Sequence, residues 1–211
     1  GKSRYWRAAA PLGRMFFGPD GSAFLFSAPE RGDGFLMKLS PTGVTKHLLT
    51  TDTLAGRNLK AGLFHPDAGV WFTVDLCYEC GNRHGGLFWW QPGGPCVRVP
   101  LEPALGGLTD LVPCPEGGVW VSDFEQDGIW YLANPESPKL EPVQMNPRLP
   151  GILQLAYEPR RRVFYALNTS EAPGGGIAGV YELPRAGGTP LLLAKQGPNQ
   201  RWAALAYGGT G

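Results

Sequence analysis

A turn proline recurs at Pro19, Pro66, Pro115 and Pro159, at intervals of 47, 49 and 44 residues. The strings around it read MFFGPDG, GLFHPDAG, LVPCPEGG and LAYEPRRR. A second apolar run follows each one: AFLFS, VWFTVD, VWVSD and VFYALN. A third run then begins at a glycine: GFLMKL, GLFWW, GIWYL and GVYEL. A unit of this size cannot bury its apolar faces alone. Fourfold repetition of short β-type runs therefore points to a toroidal array of stacked units.

Composition supports that reading once the period is known. Gly (31) and Pro (21) make up about a quarter of the 211 residues, a share that without periodicity would indicate low complexity. Here they recur at matching places and read as turns. A hydrophobic fraction of 43% and seven tryptophans argue for a packed core rather than a disordered chain.

Each repeat holds three clear strands, a to c, and a fainter fourth, d, all rich in Val, Phe, Trp and Tyr. Pro-Asp-Gly, Pro-Asp-Ala-Gly and Pro-Glu-Gly-Gly separate a from b. Proline presets φ at the first turn position and glycine accepts positive φ. Four antiparallel strands per repeat describe a blade, so the expected fold is an all-β propeller in one domain over residues 1–211. The repeats cover about 15–57, 62–108, 111–152 and 155–202, with orphan strands at 4–9 and 203–207. A Greek-key sandwich is the alternative all-β fold, but it does not require the same turn at the same offset four times. The orphan strands lead us to expect a longer propeller, completed by further blades or by another chain.

The strings GLFHPDAGVWFTVD, GGLTDLVPCPEGGVWVSDFEQDGIWYL and LQLAYEPRRRVFYALN resemble blades of the NHL, senescence-marker-protein/gluconolactonase and virginiamycin-B-lyase-like propellers. The likeness covers about residues 15 to 207 and lies in blade grammar. It implies a six-bladed ring, and for gluconolactonase-like members a divalent cation, calcium or zinc, held in the central channel by Glu, Asn and Asp. At the matching place before strand a of repeat three stands Gly107-Leu108-Thr109-Asp110, with Thr109 in place of Asn and Asp110 retained. Glu-Gly-Pro is missing from the sequence, and no b or c strand ends in the Trp-Asp of WD40 blades.

Strand direction sorts the loops. The a–b and c–d turns emerge on one face, and the b–c loops and d–a crossovers on the other, where variable loops carry function. Residues just before each inner strand would ring the channel mouth: Arg14; Arg57, Asn58 and Lys60; Asp110; Gln154; Arg201 and Trp202. Arg14, Lys60 and Arg201 together form a mildly basic rim around one carboxylate, which suits a small anionic ligand or an acidic protein loop. The bland alternative is a ring of solvated side chains, or partners of Asp110. Asp75, Asp123 and Asn168 end strand b in three repeats and read as loop caps.

The b–c loop of repeat two departs from the pattern with Cys77, Cys80 and His84. Three states are open there: a Cys77–Cys80 disulfide, two free thiols, or a metal held by Cys77, Cys80 and His84 with Glu79 or Asp75 as fourth ligand. A disulfide would favour an extracytoplasmic home.

Other motifs carry little. Arg160-Arg161-Arg162 fills a turn, and a net charge of +1 offers no footprint for nucleic acid. No apolar run reaches the length of a membrane span. Arg31-Gly32-Asp33, the Asn168-Thr169-Ser170 sequon and Gly174-Gly175-Gly176 lack a supporting context, and the three histidines form no triad. Two functions follow: a module binding a protein or small ligand through its b–c and d–a face, or, alternatively, a metal-dependent lactonase, hydrolase or propeller lyase.

Overall fold

A computed structural model describes residues 12–18, 20–27, 35–43, 45–49, 59–65, 69–74, 86–91, 94–105, 107–134, 136–149, 151–168 and 177–197. The orphan strands expected at 4–9 and 203–207 lie outside these residues. Among the described residues the chain is all β, and each repeat folds as one antiparallel four-stranded sheet in chain order. Blade one contains β1 (Leu12–Phe17), β2 (Ala23–Ser27), β3 (Phe35–Leu39) and β4 (Thr45–Leu49). Blade two contains β5 (Leu59–His65), β6 (Gly69–Val74), β7 (Gly86–Trp90) and β8 (Cys96–Arg98). Blade three contains β9 (Leu108–Pro113), β10 (Val119–Asp123), β11 (Gly128–Asn134) and β12 (Ser137–Pro142). Blade four contains β13 (Ile152–Glu158), β14 (Val163–Asn168), β15 (Gly179–Pro184) and β16 (Leu191–Lys195).

The first strand of each blade lies against the first strand of the next, β1 beside β5, β5 beside β9 and β9 beside β13. This is the inner ring of a propeller. Apolar faces close the gaps between blades. Leu63 and Leu87 of blade two pack with Leu111, Val119, Val121 and Leu132 of blade three. Between blades three and four, Trp120 (2% exposed) meets Phe164 edge-on at 5.0 Å and Tyr157 at 4.5 Å.

The tight turns explain the recurrent glycines. Gly69 and Gly118 each stand at the start of strand b with φ of +83° and +73°, which L-residues with a Cβ rarely adopt. At Gly118 a Cβ would also stand 2.8 Å from the Ala133 carbonyl oxygen across the sheet. Blade four puts Arg162 at this place with φ +55°. The basic triplet is thus a turn, held by its acidic neighbours. Glu158 accepts from the Arg160 and Arg161 amides at 2.9 and 2.7 Å, and Arg161 pairs with Glu182 at 2.8 Å. In blade one Asp20 does the same work. It accepts from the Ser22 amide and hydroxyl and from Lys38 Nζ at 2.7 Å, and the Lys38 bond leads in holding its carboxyl down at about 2.

On this same face Arg185, from the c–d turn of blade four, reaches the a–b turn of blade three. Its guanidinium lies 5.0 Å from the centre of the Trp120 ring and bonds Glu116. The Cys114 thiol donates to the other Glu116 oxygen at 3.1 Å. Burial first, and the neighbouring carboxylate second, push that thiol up to about 11.

Two outcomes follow. Gly118→Ala is expected to destabilise the fold by about 1–3 kcal/mol in urea unfolding, since it combines a left-handed φ with a backbone collision. Iodoacetamide at pH 8 should leave Cys114 unmodified in the folded protein and alkylate it in urea, as read by peptide mass mapping, because the thiolate is the nucleophile.

Candidate functional site

The inner strands run longer than their apolar cores predict, and this relocates the expected rim. Arg14, Lys60, Asp110 and Gln154 lie within β1, β5, β9 and β13 rather than ahead of them. The upstream half of β9 is polar because its side chains serve the neighbouring blade. Asp110 is 6% exposed, and its two oxygens each accept a backbone amide at 2.9 Å, from Leu111 and from Leu155 of blade four. Thr109 donates to the Ile152 carbonyl at 2.7 Å and shares a bond with Ser122 Oγ at 2.9 Å. Thr109 and Asp110 therefore clamp β9 to β13. Gln154 occupies the Asp110 place in blade four and is likewise buried. The side chains of Arg14 and Lys60, and Arg57, Asn58, Arg201 and Trp202 altogether, lie outside the described residues.

The loop caps form where two of the three expected residues are described. Asp123, fully buried, accepts from the Gln126 amide at 2.6 Å and the Gly107 amide at 3.1 Å. It thereby ties the b–c loop to the start of the inner strand. Burial pushes its carboxyl above the usual range, against the pull of the Gln126, Gly107 and Glu125 amides. Asn168 Oδ1 accepts from the Gly179 amide at 3.0 Å and so closes the blade-four loop. Asp75 lies outside the described residues, as do Cys77, Cys80 and His84.

Among the described residues, clefts open on this b–c and d–a face at blades two and three. One of about 270 Å³ lies between Gly86 at the start of β7, Arg98 at the end of β8, and the Val99–Leu105 connection. The other, of about 120 Å³, lies at the matching place in blade three, beside Gly128, Trp130, Pro142 and Arg148. Sequence reading missed both, because they depend on cross-strand register and not on a motif. Thr109 as a clamp had a signal, a polar pair five and six residues ahead of the turn proline.

A channel cation of the kind the resemblance implies needs several carboxylate, Asn or His donors converging. Among the described residues no three His, Cys, Asp or Glu converge, and Asp110 is engaged by amides.

Asp110→Ala leaves two amides without their acceptor and is expected to cost about 1.5–3 kcal/mol. Asp110→Asn keeps one acceptor oxygen and should cost less. Urea unfolding of both variants, with and without EDTA, checks this, and chelation should leave the difference unchanged.

No protein-family model and no curated protein sequence matches this chain. Solved structures do. Virginiamycin B lyase from Staphylococcus aureus superposes with a TM-score of 0.60 at 14% identity, over 87% of this chain and 60% of the lyase. A puromycin hydrolase gives 0.59 at 17% identity, over 90% of this chain and 30% of the hydrolase. A putative gluconolactonase gives 0.51 at 16% identity, over 74% and 54%. The chain thus spans 60% or less of each of these three structures. At these identities the likeness is one of architecture, and the chain shares the fold of the NHL, senescence-marker-protein/gluconolactonase and virginiamycin-B-lyase propellers.

Proposed function

We propose that this chain belongs to a propeller that cleaves a small molecule, as a hydrolase or a lyase, on its b–c and d–a face. This was the alternative to a pure binding module, and it now has the better support. The observation that carries it is the contrast between the two faces. The tight-turn face is closed by short hydrogen-bonded turns, such as Gly117 to Cys114 at 3.0 Å and Gly187 to Pro184 at 2.9 Å. Among the described residues, the opposite face bears a cleft of about 270 Å³ at strands c and d of blade two and a smaller one of about 120 Å³ at the same strands of blade three. Concave, partly apolar clefts suit a compact substrate better than a flat protein surface. The fold relatives bear the names of a lyase, a hydrolase and a putative gluconolactonase, which agrees with that scale.

On this reading the blades supply a rigid frame and the loops supply the reacting groups. Arg14, Lys60 and Arg201 remain proposed contacts for an anionic substrate. A divalent cation enters the proposal only through residues outside the described set, with Cys77, Cys80 and His84 as one candidate group. A single six-bladed ring, of which residues 1–211 form part, is the proposed frame.

The test is turnover of a panel of lactones, esters, amides and cyclic depsipeptides, each with added calcium, zinc or EDTA. Product mass separates the two chemistries. Hydrolysis of a ring adds one water, whereas elimination opens the ring with no change in mass. Turnover of a ring substrate is expected. No turnover anywhere in the panel, with saturable protein binding instead, would return the binding module to first place.

A further inference from the structure

We infer that the cleft of blade three binds a small zwitterion, an α-amino acid of about the size of alanine. The cleft is built from strands c and d and the segments that flank them, whereas the channel rim comes from strand a. It does not rest on the cleavage reading.

Two opposite charges line this hollow. Asp127 comes from the b–c turn and is half-buried, and Arg148 comes from the d–a crossover and is exposed. They form no ion pair with each other, and neither side chain has a hydrogen bond or ion pair to any other described residue. The Asp127 charge works against a like charge instead. Burial raises the Asp123 carboxyl first, and the Asp127 carboxylate adds to that effect. An ammonium group at Asp127 offsets this repulsion. At Arg148 a carboxylate meets a planar fork of donors suited to two-point contact. One molecule bearing both charges satisfies both ends.

Between them the lining is largely apolar, with Ile129, Trp130, Pro142, Val143 and Met145. The volume of about 120 Å³ corresponds to roughly four waters at about 30 Å³ each, which limits the occupant to a short side chain. The cleft wall also carries an unmet donor. The Trp130 indole nitrogen is buried and has no acceptor among the described residues. Buried donors seldom go unmet, and a carboxylate is an acceptor. The blade-two cleft, at the same strands, lacks this set. Its lining has no acidic residue, and its cation, Arg98, is already engaged.

The probe is L-alanine, titrated into the whole chain. NMR follows the methyl signals of Ile129, Val143 and Met145 together with the Trp130 indole N–H. Saturable shifts are expected, with an affinity that falls as salt is added. Acetate and methylammonium each carry half of the charge pair and should bind more weakly by about tenfold or more. Asp127→Asn keeps a residue type that tolerates the left-handed backbone found there, φ +50°, and Arg148→Gln alters an exposed side chain, so both variants should fold. Each should weaken alanine binding by about tenfold or more. Three results overturn the assignment: unchanged affinity in either variant, acetate or methylammonium binding as tightly as alanine, or shifts that never saturate. The readout is binding alone, so it stands or falls separately from turnover.

Discussion

A four-stranded blade has two faces and can bury neither by itself. Everything else in this molecule depends on blades covering one another. Trp120 shows the scale. It sits between Phe164, Tyr157 and the Arg185 guanidinium, almost out of contact with solvent. Truncating a buried aromatic of this kind costs about 3–5 kcal/mol, against about 1 kcal/mol for an ordinary hydrogen bond. Packing therefore dominates the energy of each seam. The polar contacts across it, Thr109 to Ile152 and Asp110 to Leu155, decide how far one inner strand slides along the next.

That division of labour bears on function. An inner-strand carboxylate committed to backbone amides is an element of the frame, and Asp110 is such a group. Chemistry on this scaffold then falls to the loops and crossovers, whose positions are set by caps such as Asp123 and Asn168. The tight-turn face goes the other way. Asp20, Glu116 and Glu158 spend their charge on turn amides, hydroxyl, thiol or a neighbouring cation, and leave a closed surface.

Much of the fold was legible because it is written in local chemistry. Pro and Gly at fixed offsets mark the turns, and alternating Val, Phe and Trp mark the strands, so four blades could be placed from spacing alone. The upstream halves of β5 and β9 were not legible as strand. Thr109 and Asp110 do not look like a buried strand until the neighbouring blade is present to receive them. The same reason hid the blade-two cleft. Gly86 and Arg98 are twelve residues apart, and nothing in either says that one covers the other until cross-strand register joins them. Asp110, by contrast, was visible as an exception in its column, although its polarity reads equally well as ligand or as staple.

The clamps across the third seam span 43 and 45 residues, close to the length of one repeat. Blade three is therefore stapled to blade four at a stride close to one repeat. Such an array is quantised in how it can change. Duplicating or deleting a whole repeat offers every staple a partner in the same position, whereas slipping a single residue within an inner strand separates hydroxyl from carbonyl and carboxylate from amide together. Length in this architecture is free to vary in steps of a blade and closely held within one.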